Sequence, residues 1–411
     1  MVQAKMKINK AYLLTIIFFF FNSFLLPIGL LYTTILTPVF YFALLFKQYK
    51  YILLKYVFCI APFVLIHLKN GVVLQDYFVS LTLYFTVYIF IFIVYDFLKT
   101  RTYLDILFDR ITNINFALTI LALISLFTPF KTLWALHAVS AGISGLPRLS
   151  LFTYEPSYYS TLLVPLIFYY LLSISIHREN QKLPKLLMLG LSLCLSFSLG
   201  VIASIAIAIS FVLLLNLHRL KIRRETVSLL LYLLLLGVLI ALLLFIFYPE
   251  NALYKRIYNV FTGNDSSGKG RTFEAIEIAY ILIQKKSVMW GIGLGQIKTL
   301  GYDVITSFYK YDRNLIKVVT IPNAFAETLA IFGFVGAFLR IFLQLFLFFK
   351  TKVYKNYFQM LCFSYIFIYQ FTGSFITNIA EYLIWLLAFI PYFTQFNKDN
   401  LFKTASSLNG Q

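Results

Sequence analysis

The chain of 411 residues is 61% apolar and 12% charged, with a mean hydropathy of +0.83. Soluble domains carry about 25% charged residues, so a water-soluble fold is excluded and the bilayer must solvate most of the surface. Lysine and arginine outnumber aspartate and glutamate by 35 to 16, an excess that here belongs to membrane-flanking loops rather than to a nucleic-acid partner.

In lipid every backbone polar group needs an internal partner, which leaves helices or a closed barrel. The apolar runs are continuous and do not alternate, so helices are expected. The sequence therefore reads as an all-α integral membrane protein of about twelve transmembrane helices, with one large extracytoplasmic loop.

Lys5, Lys7 and Lys10 precede an apolar run from Ala11 to about Gly29. No small-x-small cleavage site follows, so this segment reads as a retained first span rather than a signal peptide. Further spans are expected at 30–46, 51–67, 77–97, 114–130, 156–175, 185–199, 201–217, 227–248, 323–349, 357–374 and 377–396. The run 183–217 is long for one helix and tight for two. Charge decides it. One crossing would place Arg219, Lys221, Arg223 and Arg224 outside and reverse every later loop, against the positive-inside pattern. Two crossings are required, with a turn near Ser196, Ser198 and Gly200, and both termini are then cytoplasmic.

This divides the chain into helices one to nine (1–248), an extracytoplasmic loop (249–322), and helices ten to twelve with a cytoplasmic tail (323–411). Long loops escape the positive-inside rule, so the ten basic residues of 249–322 are candidates for anion binding. Cys59, Cys194 and Cys362 fall inside predicted spans without metal spacing and read as small apolar residues.

Two glycine motifs are set aside. Gly263–Gly270 imitates a phosphate loop but has Gly270 where Ser or Thr should hold magnesium. Gly291, Gly293 and Gly295 have the wrong spacing for a dinucleotide site and are expected to allow a sharp turn back to the membrane. After Arg271, the positions of Phe273, Ile276, Tyr280 and Ile283 predict an amphipathic helix that would lie in the membrane interface.

Three places carry candidate chemistry. Arg148 and Glu155 flank the outer mouth of the sixth span. Pro156 suits the first helical turn and Glu155 the N-cap position. Arg271 opens the interfacial helix. Asn323 begins the tenth span and Glu327 lies one turn into it, where a carboxylate is costly and usually faces a partner or a water-filled cavity. His137 is the histidine expected outside near Arg148 and is a further candidate base.

Taken together, Arg148 followed by Glu155-Pro156-Ser157-Tyr158, an external Arg271, Trp290-Gly-Ile-Gly-Leu-Gly295, and Asn323 with Gly333 resemble the bacterial O-antigen polymerase and ligase superfamily. The resemblance implies a C-type membrane glycosyltransferase of the bacterial inner membrane; the sequence shows no divalent-metal cluster, so a metal-independent reaction without cofactor is expected. Its substrates would be polyprenyl-pyrophosphate-linked glycans, undecaprenyl pyrophosphate being the expected carrier. The product would be O-antigen or capsule, with membrane lipids, a chain-length regulator and a flippase as partners. In the ligase branch a His precedes an Asn-x-x-Leu element. Here Pro322 and Ala326 occupy those positions, which favours a Wzy-type polymerase.

On this reading Arg148 and Arg271 clamp the pyrophosphate, since a guanidinium binds phosphate oxygens bidentately. Glu155 or Glu327 would be the general base if burial raises its pKa. Tyr154, Tyr158 and Asn323 would contact substrate. The alternatives are an O-antigen ligase and a lipid-linked oligosaccharide flippase or transporter.

Overall fold

The computed structural model describes residues 19–20, 52–100, 103–130, 148–153, 155–216, 258, 270–310, 312–313 and 318–399. The spans expected at 11–29, 30–46 and 227–248, the loop around His137, and Tyr154 lie outside the described residues, apart from Phe19 and Phe20. Among the described residues the fold is helical and contains no strand. The helices are α1 (Ile52–Lys69), α2 (Leu74–Thr100), α3 (Leu104–Ser125), α4 (Pro156–His177), α5 (Leu183–Ser196), α6 (Leu199–Asn216), α7 (Phe273–Gln284), α8 (Leu300–Phe308), α9 (Ala324–Lys350), α10 (Tyr357–Tyr369) and α11 (Ile379–Phe389).

Five of them, α2, α3, α4, α6 and α9, are long and apolar enough to cross a membrane. Within them α4 stands apart, with 78% of its apolar window buried against 28–39% for the other four. It is therefore the central post of the bundle, and the others present a face to lipid. Around α4 pack α5, α6, α10 and α11 in one continuous core that includes Leu163, Phe168, Tyr170, Phe358 and Tyr365.

Where a double crossing was expected between 183 and 217, two helices, α5 and α6, are joined by a turn; α6 is long and apolar enough to cross a membrane, and α5, with 14 residues, is shorter. The chain reverses at Phe197, whose φ of 48° is left-handed, and Ser196 Oγ donates to the Leu193 carbonyl at 2.6 Å. Other boundaries differ from the sequence expectation. The span placed at 114–130 begins at Leu104 instead, and α3 ends at Ser125. Its first turns carry Asp105, Asp109 and Arg110, which hydropathy excluded. Asp109 is nevertheless engaged, accepting the Tyr170 hydroxyl at 2.5 Å. The last two helices are also shorter than expected. At 1.5 Å per residue α10 and α11 are about 20 and about 17 Å long, less than the roughly 30 Å of hydrocarbon. Between them runs a non-helical segment, 370–378.

A second core joins the loop region to the membrane helices. It contains Ala275, Ile278, Ala279, Leu282 and Ile283 of α7, Leu329 to Phe332 of α9, and Tyr77 of α2. The apolar face expected for the interfacial helix is thus displaced. Small Ala275 and Ala279 let α7 approach α9 closely, while Phe273 remains 86% exposed and Tyr280 points outward beside Phe334.

What locks this region is backbone on backbone. Helix α9 is broken at Gly333, with φ of 66° and ψ of −164°. Into the break fits the segment around Gly291. Ile292 and Gly293 donate N–H to the Ala330 and Ile331 carbonyls at 2.9 and 3.1 Å, and Phe334 and Val335 donate to Val288 and Met289 at 3.1 Å each. The adjoining residues dock on the α1–α2 hairpin, where His67 Nε2 lies 2.8 Å from the Trp290 carbonyl and Val73 N–H donates to Gln296 at 3.0 Å.

Only glycine fits this splice. A Cβ at Gly291 would lie 2.3 Å from the Ile331 oxygen, and one at Gly333 would lie 2.4 Å from Met289 backbone atoms, both at positive φ. Gly291→Ala and Gly333→Ala should each destabilise the protein by more than about 2 kcal/mol, read as a lower unfolding temperature in detergent. Gly190→Ala, which meets nothing within 4 Å, should leave that temperature unchanged. Equal behaviour of the three variants would show that the splice is not formed.

Candidate functional site

The N-terminal ends of α4, α9 and α11 and the C-terminal end of α10 meet at one end of the bundle, and Arg271 is brought there by the loop region. Between them lies a small cleft lined by Glu155, Ser157, Tyr158, Arg271, Pro322, Tyr369, Ser374, Phe375 and Asn378. Residues more than two hundred positions apart are thereby placed on one site.

Glu155 arrives there as the N-cap of α4, with φ of −136° and Pro156 at the first helical position. Its side chain makes no cap bond. Instead Oε2 accepts the Ser157 hydroxyl at 2.7 Å, so the carboxylate remains turned to the cleft. Tyr158, on the next turn, stacks on Phe375 with ring centroids 6.4 Å apart and an interplanar angle of 18°.

Arg271 is half-buried, and its guanidinium makes no hydrogen bond or ion pair among the described residues. Its backbone is held more firmly than its side chain. Asn323 is fully buried and donates through Nδ2 to the Arg271 carbonyl at 2.8 Å and to the Phe371 carbonyl at 2.7 Å. The Asn323 Oδ1 caps α9 by accepting from Ala326 N–H at 2.8 Å. A single amide therefore ties the loop, the start of α9 and the end of α10 together. It stands behind the cleft and does not line it.

Arg148 and Glu327 are placed elsewhere. Arg148 donates through Nε to the Ser196 carbonyl at 3.0 Å and through Nη2 to Ser198 Oγ at 3.4 Å, on the α5–α6 turn, and does not line the cleft. Glu327 accepts the Ile376 N–H at 2.7 Å and has Arg340 and Glu381 as electrostatic neighbours. It stands one layer beneath the cleft. Outside the membrane-spanning segments, Lys286 contacts the Gly71 carbonyl, and burial lowers its pKa from the ordinary lysine value.

Sequence reading missed the charged group under the site. Arg340 of α9 pairs with Glu381 of α11, which is fully buried. Arg340 also donates to Gln370 Oε1 at 2.7 Å and to Thr328 Oγ1 at 3.3 Å. Glu381 in turn accepts Ser374 Oγ at 2.7 Å and Trp385 Nε1 at 3.3 Å. A signal existed: Arg340 is a lone cation within an apolar run, and such residues pair or function.

A family model described as O-antigen ligase matches residues 185–341. The match supports the resemblance to the O-antigen polymerase and ligase superfamily. The match supports ligase- or polymerase-type activity on lipid-linked glycans and does not separate the two. It runs from α5 to Arg340 and includes Arg271 and the Gly291–Gly333 splice. The Glu155 wall and the 370–378 segment lie outside it. No curated protein sequence matches the chain.

The Asn323 tie can be probed on its own. Asn323→Asp keeps an acceptor for the Ala326 N–H but sets carboxylate oxygens against two carbonyls. It should cost about 1–3 kcal/mol of stability, measured by denaturant unfolding in detergent. An unchanged midpoint would show that the ties to Arg271 and Phe371 are not made.

Proposed function

We propose that this protein polymerises polyprenyl-pyrophosphate-linked oligosaccharide repeat units into a surface polysaccharide, at the cleft between Arg271 and Glu155. The observation that carries the reading is Arg271. It is a guanidinium with no hydrogen-bond or ion-pair partner among the described residues, it faces a cleft, and it lies in the segment matched by a family model described as O-antigen ligase.

The chemistry follows from the leaving group. Breaking the bond between the anomeric carbon and the pyrophosphate oxygen sends an electron pair onto the pyrophosphate. Negative charge grows there, and a fixed guanidinium binds that charge more strongly in the transition state than in the ground state. The acceptor hydroxyl oxygen forms the new bond to the anomeric carbon and its proton passes to Glu155. Ser157 holds one oxygen of that carboxylate, leaving the other for the proton. Tyr158 supplies an aromatic face for a sugar ring. Arg148 acts on this reading by holding the α5–α6 turn against the entrance to α4, and Glu327 by fixing the 370–378 segment through Ile376.

The polymerase reading rests on Pro322 and Ala326, which replace the His and Leu of the ligase pattern, with Pro322 lining the cleft. The matched model's description favours a ligase, in which the same donor passes to a different acceptor. With the cleft at the outer face of a bacterial inner membrane, both termini would be cytoplasmic.

The surface glycan of a deletion strain tests the proposal. Loss of the polymerase leaves single repeats on the surface, whereas loss of a ligase leaves polymer stranded on the lipid carrier. Complementation with Arg271→Lys should lower the rate of polymer formation about tenfold or more, since one charge-assisted hydrogen bond contributes about 1.5–3 kcal/mol. Normal polymer from Arg271→Lys, or from Glu155→Gln, would remove that residue from the proposed chemistry.

A further inference from the structure

The Arg340–Glu381 pair lies in an apolar bundle, where isolated charges are costly and a buried ion pair seldom improves on apolar packing. What it does locally is visible at Ser374. This residue has φ of 70°, a left-handed conformation that costs a non-glycine residue of order 1 kcal/mol and persists only where its surroundings hold it. The hold comes from two side chains. Ser374 Oγ donates to Glu381 Oε2 at 2.7 Å, and Asn378 Nδ2 donates to Ser374 Oγ at 3.1 Å. Asn378 is itself fixed, because its Oδ1 caps α11 by accepting from Ala380 N–H at 3.0 Å. On its far side Arg340 is held by Gln370 and Thr328, and Gln370 and Gln344 donate to one another at 2.9 and 3.0 Å.

A hydrogen-bond inventory shows what remains for a ligand. The serine hydroxyl has one hydrogen, which goes to Glu381, and two lone pairs, one of which receives Asn378. One lone pair is left. The Asn378 amide has two hydrogens, of which one goes to Ser374. Both residues line the cleft that holds Arg271 and Glu155. Their wall therefore offers an acceptor and a donor side by side. A phosphate oxygen can use only donors. A sugar hydroxyl donates and accepts at once, and the Tyr158–Phe375 stack beside it presents an apolar face suited to the C–H face of a pyranose.

We propose that Ser374 and Asn378 form a sugar-binding wall of the cleft, and that Arg340 and Glu381 are positioning residues that hold Ser374 in its left-handed conformation. This deepens the transfer reading above and rests on it. The cleft then has a division of labour: Arg271 binds the pyrophosphate and the 374–378 segment binds a hydroxyl of the attached glycan.

The test is a binding experiment on the full chain in lipid nanodiscs, with two probes: sugar-free undecaprenyl pyrophosphate, and the same lipid carrying one repeat unit. Ser374→Ala and Ser374→Gly both remove the hydroxyl, and glycine also relieves the backbone. Both should weaken binding of the glycan-bearing lipid about tenfold and leave the sugar-free lipid unchanged. Arg271→Lys should weaken both. For the positioning pair, Glu381→Gln should weaken glycan binding in the wild-type background and add nothing in the Ser374→Gly background. A merely structural role would add its own loss. Free repeat-unit oligosaccharide provides a third arm. Its binding should fall in the same Ser374 variants, because the wall contacts the glycan and not the carrier. Wild-type affinity of Ser374→Gly for every probe overturns the wall while leaving the transfer reading intact. Loss of sugar-free lipid binding in the Ser374 variants also overturns it. Should the wild-type protein bind none of the probes, both readings fall together.

Discussion

The structure depends on a contact that contains no side chain. At Gly291 and Gly333 the loop region and a broken membrane helix meet backbone to backbone, with four hydrogen bonds bridging the break. In a bilayer an interrupted helix leaves carbonyls and N–H groups unsatisfied unless protein supplies partners. Here the loop supplies them. The exchange fixes the loop against α9 without a large interface, and it fixes the start of α9 as well. Asn323 then extends the tie to Arg271 and Phe371. The arginine reaches the cleft because its backbone is anchored in the membrane domain, and its side chain is left available.

Charge in and around the cleft is arranged in two layers. The upper layer, Arg271 and Glu155, has few protein partners and faces the cleft. The lower layer, Arg340 and Glu381, is fully engaged with Gln370, Thr328, Ser374 and Trp385. Binding and proton transfer need groups of the first kind, whose interactions are completed by substrate. Holding a short non-helical segment in place within the bundle needs groups of the second kind. Helices α10 and α11 are too short to cross alone, and the segment between them provides a wall that a continuous helix would not.

Much of this was legible in the sequence where the governing rule is local or counts charge. The positive-inside pattern required a break in the apolar run between 183 and 217, and the chain turns there at Phe197 between two helices. Pro156 and Glu155 marked the start of α4 through helix-end chemistry, and Asn323 marked the start of α9. Pairing across distant segments was not legible. Arg148 stood out as an arginine at a span entrance, but its bond to Ser196 depends on how α5 and α6 turn. Asn323 was read as a substrate contact because its three partners come from three segments. The α7 face was misjudged by about one position, since Ala275 and Ala279 carry little hydropathy yet permit the closest approach to α9. The Arg340–Glu381 pair joins residues 41 positions apart, and only the packing of α9 against α11 brings them together.

The central claim is that Arg271, held by the spliced loop, receives the pyrophosphate of a lipid-linked glycan. A cryo-EM structure of the protein in nanodiscs with undecaprenyl pyrophosphate tests it most directly. The account predicts pyrophosphate density within hydrogen-bonding distance of the Arg271 guanidinium, in the cleft between Glu155 and Ser374. Pyrophosphate bound at Arg148 or elsewhere, with the Arg271 side chain uninvolved, would contradict it.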